Sequence, residues 1–471
     1  MDKNMPAGAS WASAWEDFAS VKPVPDRKEL GWLAALCVGQ LLLWSFAFGL
    51  TYKAPEIDSA EQFVWAFSLE SGYWKQPPMP SWILHELIQL VGPSAVLPFV
   101  ATQASIVIAL ALTWRLGCEF MSPQRSLIAM ALTSLVTYHN IGGDCFNHNT
   151  ALLPFQAATV LLFYRATRQG RWLQWALAGL FAGLSMLVKY VALLPLAGLL
   201  LYFVLDRELH HRRQLLGLTL AAVVAAGVLV PHLLWLQSTH FLPSRYAHSV
   251  AQALPGLAAS ARSAGDFLLI QGLRLLPFVA GLWFVLGRRG RELNWSTPLA
   301  APSPRDRCFL WITALAPLVL TLGIGLVTET ELQSRWGANA FLLSGWLVMA
   351  FCRRSDSPLM LSRALRFTVC AHVVLCLSMT MAKTVGAEQL HVRTRANFPG
   401  ALLARHAQLT WAEYTEAPLR LVVSDIRLGG NIIANGNQQF WASGRTPEGH
   451  GASGQVRWGS VAPAKGQRCA L

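Results

Sequence analysis

Charged residues are scarce in this sequence. Asp, Glu, Lys and Arg make up 13% of 471 residues, against 54% apolar. A soluble globular domain carries about twice that share of charge. The chain is therefore excluded from that class and reads as an all-α polytopic membrane protein. Acidic residues are scarcest, 25 against 38 Lys and Arg. The net charge of +13 would suit nucleic acid if the basic residues formed one surface. They fall instead in short loops between apolar runs, the orientation signal of a membrane protein, so no nucleic-acid partner is expected. The eight cysteines lack the paired spacing of a metal site or a disulfide framework. Cys37, Cys308, Cys352, Cys370 and Cys376 lie in or beside apolar runs and read as small core residues. No cofactor is expected, and no metal is predicted, with a divalent ion left open as an alternative. The sequence shows no internal repeat and no acid in mid-span, which argues against a transporter built from two halves. No small-residue cleavage site follows the run Leu30 to Leu50, which reads as a retained first helix rather than a signal peptide.

Apolar runs are what the chain has in abundance. They fall at about 30–50, 93–114, 126–142, 150–166, 172–188, 191–205, 214–236, 266–286, 308–327, 338–352 and 366–383, which predicts about eleven membrane helices. Arginines gather in alternate loops, at Arg115 and Arg125, at Arg165, Arg168 and Arg171, at Arg207, Arg212 and Arg213, at 288–307, and at 353–366. That side is cytoplasmic and includes the amino terminus, with Arg27 and Lys28. The loops at 51–92, 143–149 and 237–265 then face outward, with the tail from about 384. Residues 1–383 read as a transmembrane domain and 384–471 as a small outer α/β domain. In that tail Pro399 to Trp411 fits a helix and Leu419 to Val423 a strand. The Asn-, Gln- and Gly-rich stretch Gly429 to Trp441 fits no element.

The first outer loop is the densest in chemistry. Ile57 to Trp82 carries Asp58, Glu61 and Lys75 among aromatics, and is broken by Pro77, Pro78 and Pro80. A loop that only joined two spans would need none of these. Ser59 to Leu69 fits an amphipathic helix lying at the membrane surface, and Trp82 to Val91 a second. Asp58 with Glu61 at i+3 matches a capping box, and it equally matches a carboxylate placed to take a proton from an incoming hydroxyl or amine. The outer turn Gly142 to Thr150 adds Asp144, with Asn149 and Thr150 placed to cap the helix that follows. The fifth and sixth spans are short, about 24 Å for about 16 residues, and Lys189 and Tyr190 stand at their outer turn. A lysine at that depth calls for an anionic partner. Arg245, Arg274 inside the eighth span, and Arg335 add cations. Glu331 and Arg335 stand at the spacing of a helical ion pair. Carboxylates and cations meeting in a membrane cleft suit one reaction class. A sugar is held on a lipid phosphate, cations stabilise the phosphate as it leaves, and a carboxylate positions the acceptor.

The order of these motifs resembles the bacterial relatives of protein O-mannosyltransferases, the family 39 glycosyltransferases of the C-type fold. Lipid A aminoarabinose transferases and rhizobial lipopolysaccharide galacturonosyltransferases look similar. The resemblance rests on an acid-led first loop ending in Pro-Pro and Trp, on Phe146 to Ala157, on Gly183 to Tyr190, and on Gln333 to Trp336. It implies a polyprenyl-phosphate sugar donor, inversion at the anomeric carbon, a cell-envelope lipid, glycan or protein as acceptor, and a site on the outer face of a bacterial inner membrane. It makes Asp58 the acceptor-activating carboxylate, with Glu61 and Asp144 as further acids. Lys189 becomes a donor-phosphate contact. Lys75 stands one position before the residue that relatives place next to Pro-Pro, where this chain has Gln76. Asn149 stands where some relatives carry Asp.

Overall fold

The computed structural model describes residues 25–250, 254–287, 302–352, 356–392, 394–419, 421–436 and 441–444. The helices α1 (Arg27–Thr51), α2 (Ile57–Ala66), α3 (Met79–Val91), α4 (Leu97–Gly117), α5 (Pro123–Thr133), α6 (His148–Gln169), α7 (Trp172–Val188) and α8 (Leu193–Leu205) form the first half. Then come α9 (Arg212–Ser238), α10 (Leu242–Val250), α11 (Leu257–Leu286), α12 (Pro304–Val327), α13 (Ser344–Phe351) and α14 (Pro358–Met381). Among the described residues, six helices are long and apolar enough to cross a membrane: α1, α4, α9, α11, α12 and the stretch 358–389 that α14 opens. Two shorter apolar helices, Trp172–Val188 and Tyr190–Leu205, accompany them. Their outward faces carry Leu42, Phe46, Leu269, Leu273 and Trp283, as contact with lipid tails requires.

Two of the expected spans are cut short. The run 126–142 is helical only to Thr133, because the polar groups beyond it take the last carbonyls. His139 Nδ1 meets the Thr133 carbonyl at 2.8 Å, and Asn140 Nδ2 donates to those of Ser134 and Val136 at 2.9 and 3.2 Å. The run 338–352 is helical only over Ser344–Phe351. Upstream of it, Gln271 donates to the Ser334 carbonyl and Gln156 to that of Asn339. Apolar composition sets a segment's depth, but side-chain donors decide where a helix stops. Cys308 and Cys370 are exposed rather than in the core, and the described cysteines are all free. Cys469 lies outside the described residues.

The helix ends sort into two sets. At one end Glu119 holds Arg115 and Arg165, Arg168 pairs with Asp306, Arg305 with Asp206 and Glu208, and fully buried Arg125 with Asp356. The opposite end gathers the carboxy-terminal ends of α1 and α7, the start of α6 and the stretch after α14. Over it lie α2, α3 and the tail. In the tail, α15 (Gly400–Tyr414) precedes a parallel pair, β1 (Leu421–Ser424) and β2 (Trp441–Gly444), with Leu421 opposite Trp441. Between these strands runs α16 (Ile426–Asn435).

The stretch from Gly429 that fits no element by composition is therefore largely helix, and its composition belongs to a contact. A Cβ on Gly430 would sit 2.3 Å from the Ala60 carbonyl oxygen, so only glycine lets α16 press this closely on α2. Phe63, Tyr73, Leu84, Phe146, Leu152, Val188, Leu419 and Ile433 pack as one buried cluster, so loop, turn and tail share a core.

Candidate active site

The helix α2 opens at Ile57 with Glu56 as N-cap and no side-chain cap. Asp58 therefore lies inside the first turn and is not the N-cap. A carboxylate there is favoured by the unpaired N–H groups of the helix start. Its Oδ2 accepts hydrogen bonds from Asn147 Nδ2 at 3.2 Å and from the Arg335 guanidinium at 3.0 Å. Its Oδ1 has no hydrogen-bond partner among the described residues.

Arg335 thus pairs with Asp58 and not with Glu331. Residues 331–333 carry no helix, and only a short 3-10 turn, Ser334–Gly337, follows. Tyr138 fixes that turn by donating its hydroxyl to the Ser334 carbonyl, and Arg274 stacks on the Tyr138 ring at 4.4 Å. Arg274 therefore supports the Arg335 segment from behind, with no ion pair of its own among the described residues.

Asn147 is the N-cap of α6, and Thr150 completes the capping box as expected, its Oγ1 accepting from the Asn147 amide at 3.1 Å, while the Asn149 side chain takes no part. The Asn147 Oδ1 accepts from the Asn149 and Thr150 amides at 2.9 and 3.2 Å. Because Oδ1 is committed to the backbone, Nδ2 must turn to Asp58. Asn149 is left free to accept from Lys189 Nζ at 2.5 Å. Lys189 ends α7 in extended backbone. Burial pulls its ammonium down to about 8, opposed by Asp58. Two of its three N–H groups have no partner among the described residues. Asp58 and Lys189, distant in sequence, thus sit at either side of one asparagine-bearing turn.

Glu61 is buried and pairs with Lys75 at 2.8 Å. Burial pushes the Glu61 carboxyl up to about 7, partly countered by Lys75. Burial works against the Lys75 ammonium, but Glu61, with Asp58 and Tyr246, offsets it and leaves its pKa above the usual lysine value. The rings of Trp65 and Trp74 flank Lys75 at 5.8 and 5.5 Å. Gln76 serves through its backbone, exchanging hydrogen bonds with Tyr73 at 3.0 and 3.3 Å. Tyr190 bonds His232 at 2.8 Å, and His232 reaches the Ser71 carbonyl at 2.6 Å, tying the outer end of α9 to the first loop.

Asp144 belongs to a neighbouring cluster. Tyr52 donates to it at 2.5 Å, Lys383 lies at 3.5 Å, and Lys383 also donates to the Tyr52 hydroxyl. Burial and Asp144 together push the Tyr52 phenol far up. Arg245 is exposed on α10 and makes no ion pair among the described residues, while its neighbour Tyr246 meets Trp74 edge-on at 4.5 Å.

Comparison with known proteins gives this geometry a context. Residues 75–235 match the family model described as dolichyl-phosphate-mannose-protein mannosyltransferase. The lipopolysaccharide core galacturonosyltransferase RgtA of Rhizobium johnstonii is 26% identical over 397 residues, 80% of this chain and 75% of that protein. The lipid A galacturonosyltransferase RgtD of the same organism is 25% identical over 65% of this chain and 63% of its own length. The crystal structure of ArnT from Cupriavidus metallidurans bound to undecaprenyl phosphate superposes with a TM-score of 0.61 at 13% identity, covering 85% of this chain and 84% of that one. The chain thus shares the fold of that transferase and is similar in sequence to these galacturonosyltransferases.

The site contains residues that the sequence reading does not single out. Asn147 was visible only as one of several hydrogen-bonding groups in Phe-Asn-His-Asn-Thr. Lys383 carried a fainter signal, a lysine at the end of the last apolar run, and Tyr52 none that separates it from an interfacial aromatic. Among the described residues no group of three or more His, Cys, Asp or Glu is placed to hold a metal ion.

Proposed function

We propose that this protein transfers a sugar from a polyprenyl-phosphate donor to an acceptor of the cell envelope, with inversion. The observation that carries this reading is the placing of Asp58 and Lys189 on one turn, the first holding an open carboxylate oxygen and the second two open N–H groups. In the step proposed, the acceptor hydroxyl oxygen attacks the anomeric carbon from the face opposite the phosphate. The carbon–oxygen bond to phosphate breaks and its electrons leave with the lipid phosphate. Asp58 Oδ1 takes the hydroxyl proton. Lys189 stabilises the departing phosphate, and Lys75 is a second cation for it. Asn147 and Arg335 hold the carboxylate and fix its direction.

The fold and the arginine-rich end support a site on the periplasmic face of a bacterial inner membrane, with the amino terminus cytoplasmic and the tail outside. About eleven crossings, counting the short apolar helices, remain part of this reading. The relatives' names make a galacturonate-bearing donor, with lipopolysaccharide core or lipid A as acceptor, the first pair to test. Asp58→Asn keeps both hydrogen bonds to Oδ2 yet removes the base. We expect it to lower transfer by about 10²–10⁴-fold in membranes supplied with labelled lipid-linked sugar, with insertion and melting unchanged. Transfer at the wild-type rate by that variant would remove Asp58 from the mechanism.

A further inference from the structure

We propose that the crevice between the start of α2 and the tail docks an acidic saccharide, on the acceptor side of the transfer described above. The assignment rests on that reading of Asp58. Pro55, Ile57, Phe398 and Arg427 line the crevice, which encloses about 340 Å³ measured out to its open mouth. Arg427 stands in the first turn of α16, half-buried, with its guanidinium 4.3 Å from the Phe398 ring centre. It has no anionic partner among the described residues. Asp425, two residues away, turns its Oδ1 to cap the amides of Arg427 and Leu428. Glu56 is buried in the first loop. The other cations of this face with carboxylate partners are already committed, Lys75 to Glu61, Lys383 to Asp144 and Arg335 to Asp58. Arg427 has a ring on one side and an opening on the other.

The lining names the ligand's chemistry. A guanidinium fork matches the paired oxygens of a phosphate or a carboxylate. Proline, isoleucine and phenylalanine surfaces beside it suit the C–H face of a sugar ring. Ile57 precedes Asp58 in the first turn of α2, so the crevice opens at the start of the helix that carries the proposed base. Neither Asp58 nor Lys189 borders the crevice itself, but Lys189, the contact proposed for the donor phosphate, stands on the other side of the asparagine-bearing turn from α2. The occupant is therefore assigned to the acceptor rather than to the donor.

The test uses the full-length protein in nanodiscs of zwitterionic lipid. Three probes are titrated: a bisphosphorylated glucosamine disaccharide, the same disaccharide without phosphate, and digalacturonate. We expect the two acidic probes to bind and the neutral one to bind at least about tenfold more weakly, a difference of about 1.4 kcal/mol. Arg427→Gln should weaken both acidic probes about tenfold. Arg427→Lys, which keeps the charge but loses the fork, and Phe398→Leu, which removes the ring beneath it, should fall between. Asp58→Asn should bind all three as the wild type does. Equal binding of charged and neutral disaccharide, or wild-type affinity in a folded Arg427→Gln protein, overturns the assignment. So does loss of probe binding when anionic lipid is added to the nanodiscs, which would mark the crevice as a headgroup site. Asp58→Asn reports on the catalytic reading through transfer alone, so the two failures are told apart.

Discussion

Asn147 and Asn149 serve opposite charges from adjacent turns of chain. Asn147 spends its oxygen on the start of α6 and its nitrogen on Asp58, while Asn149 offers an oxygen to Lys189. A neutral amide is well chosen for both tasks, since it orients each charge without neutralising it. The titrating groups nearby set a pH window. Glu61 is raised to about 7, so the folded protein holds this proton more tightly than the unfolded chain does. Its contribution to stability is largest below the ordinary carboxylate range and declines as pH rises to about 7. Lys189 is lowered to about 8, so its charged form costs stability below that pH and the cost fades above it. Activity runs the other way on both. On the proposed mechanism, ionised Glu61 holds Lys75 and protonated Lys189 meets phosphate. We expect kcat/KM for transfer to rise through about 7 and fall above about 8, with the acid limb lost in Glu61→Gln. A flat profile between pH 6 and 9 would separate these groups from turnover. Lys383 acts at one remove, through Tyr52 and Asp144, on the turn that carries both asparagines. Lys383→Met should lower kcat about tenfold with the donor KM little changed, since it shifts the turn without touching donor. A change confined to KM would place Lys383 in the donor site instead.

Among the elements, α2 decides the site, and α16 decides where α2 lies. Gly430→Val puts side-chain atoms where the Ala60 carbonyl already stands, and should destabilise the protein by about 1–3 kcal/mol. It should also lower transfer more than Gly430→Ala does, measured by melting and turnover on the same preparations. Turnover unaffected by either change would mean that α2 keeps its place without α16. This dependence was not legible in the sequence. Gly429 to Trp441 looks like a loop by composition, because glycine and asparagine are poor helix formers in isolation, and the contact that calls for them is with a helix far away in the chain. The same limit explains the short helices α5 and α13. Their runs are apolar enough to span, yet His139, Asn140, Gln156 and Gln271 take carbonyls that a continuing helix would use. The capping box expected at Asp58 failed for a related reason, since its carboxylate is engaged by residues 89 and 277 positions away. What did show in sequence were residues whose presence is costly in a membrane. Asp58, Glu61, Lys75, Lys189 and Arg335 stood out because charge there needs a partner, although the sequence did not show which partner each would take.

At the scale of the whole molecule, two ends of the helix bundle carry different kinds of charge. One end is laced by Arg115, Arg165, Arg168, Arg305 and Arg125 with their acids, while the other holds the site. The orientation expected from the sequence depends on counts of basic residues in loops and not on any one contact. Single cysteines placed at exposed Lys53 and at exposed Arg212 in a cysteine-free background test it. A membrane-impermeant maleimide should label Lys53→Cys in cells with a permeable outer membrane, and Arg212→Cys only after lysis. The reverse pattern would turn the protein over in the bilayer and put the site on the wrong side for an envelope acceptor.

The late position of α16 in the chain has a consequence for biosynthesis. Every long apolar helix emerges from the ribosome before the segment that presses on Ala60. A nascent chain that has inserted all of them, but has yet to complete residues 421–436, still has Asp58 on an unsupported helix. On the proposed mechanism, competence for transfer then waits for that segment, and copies that lack it do not consume lipid-linked sugar.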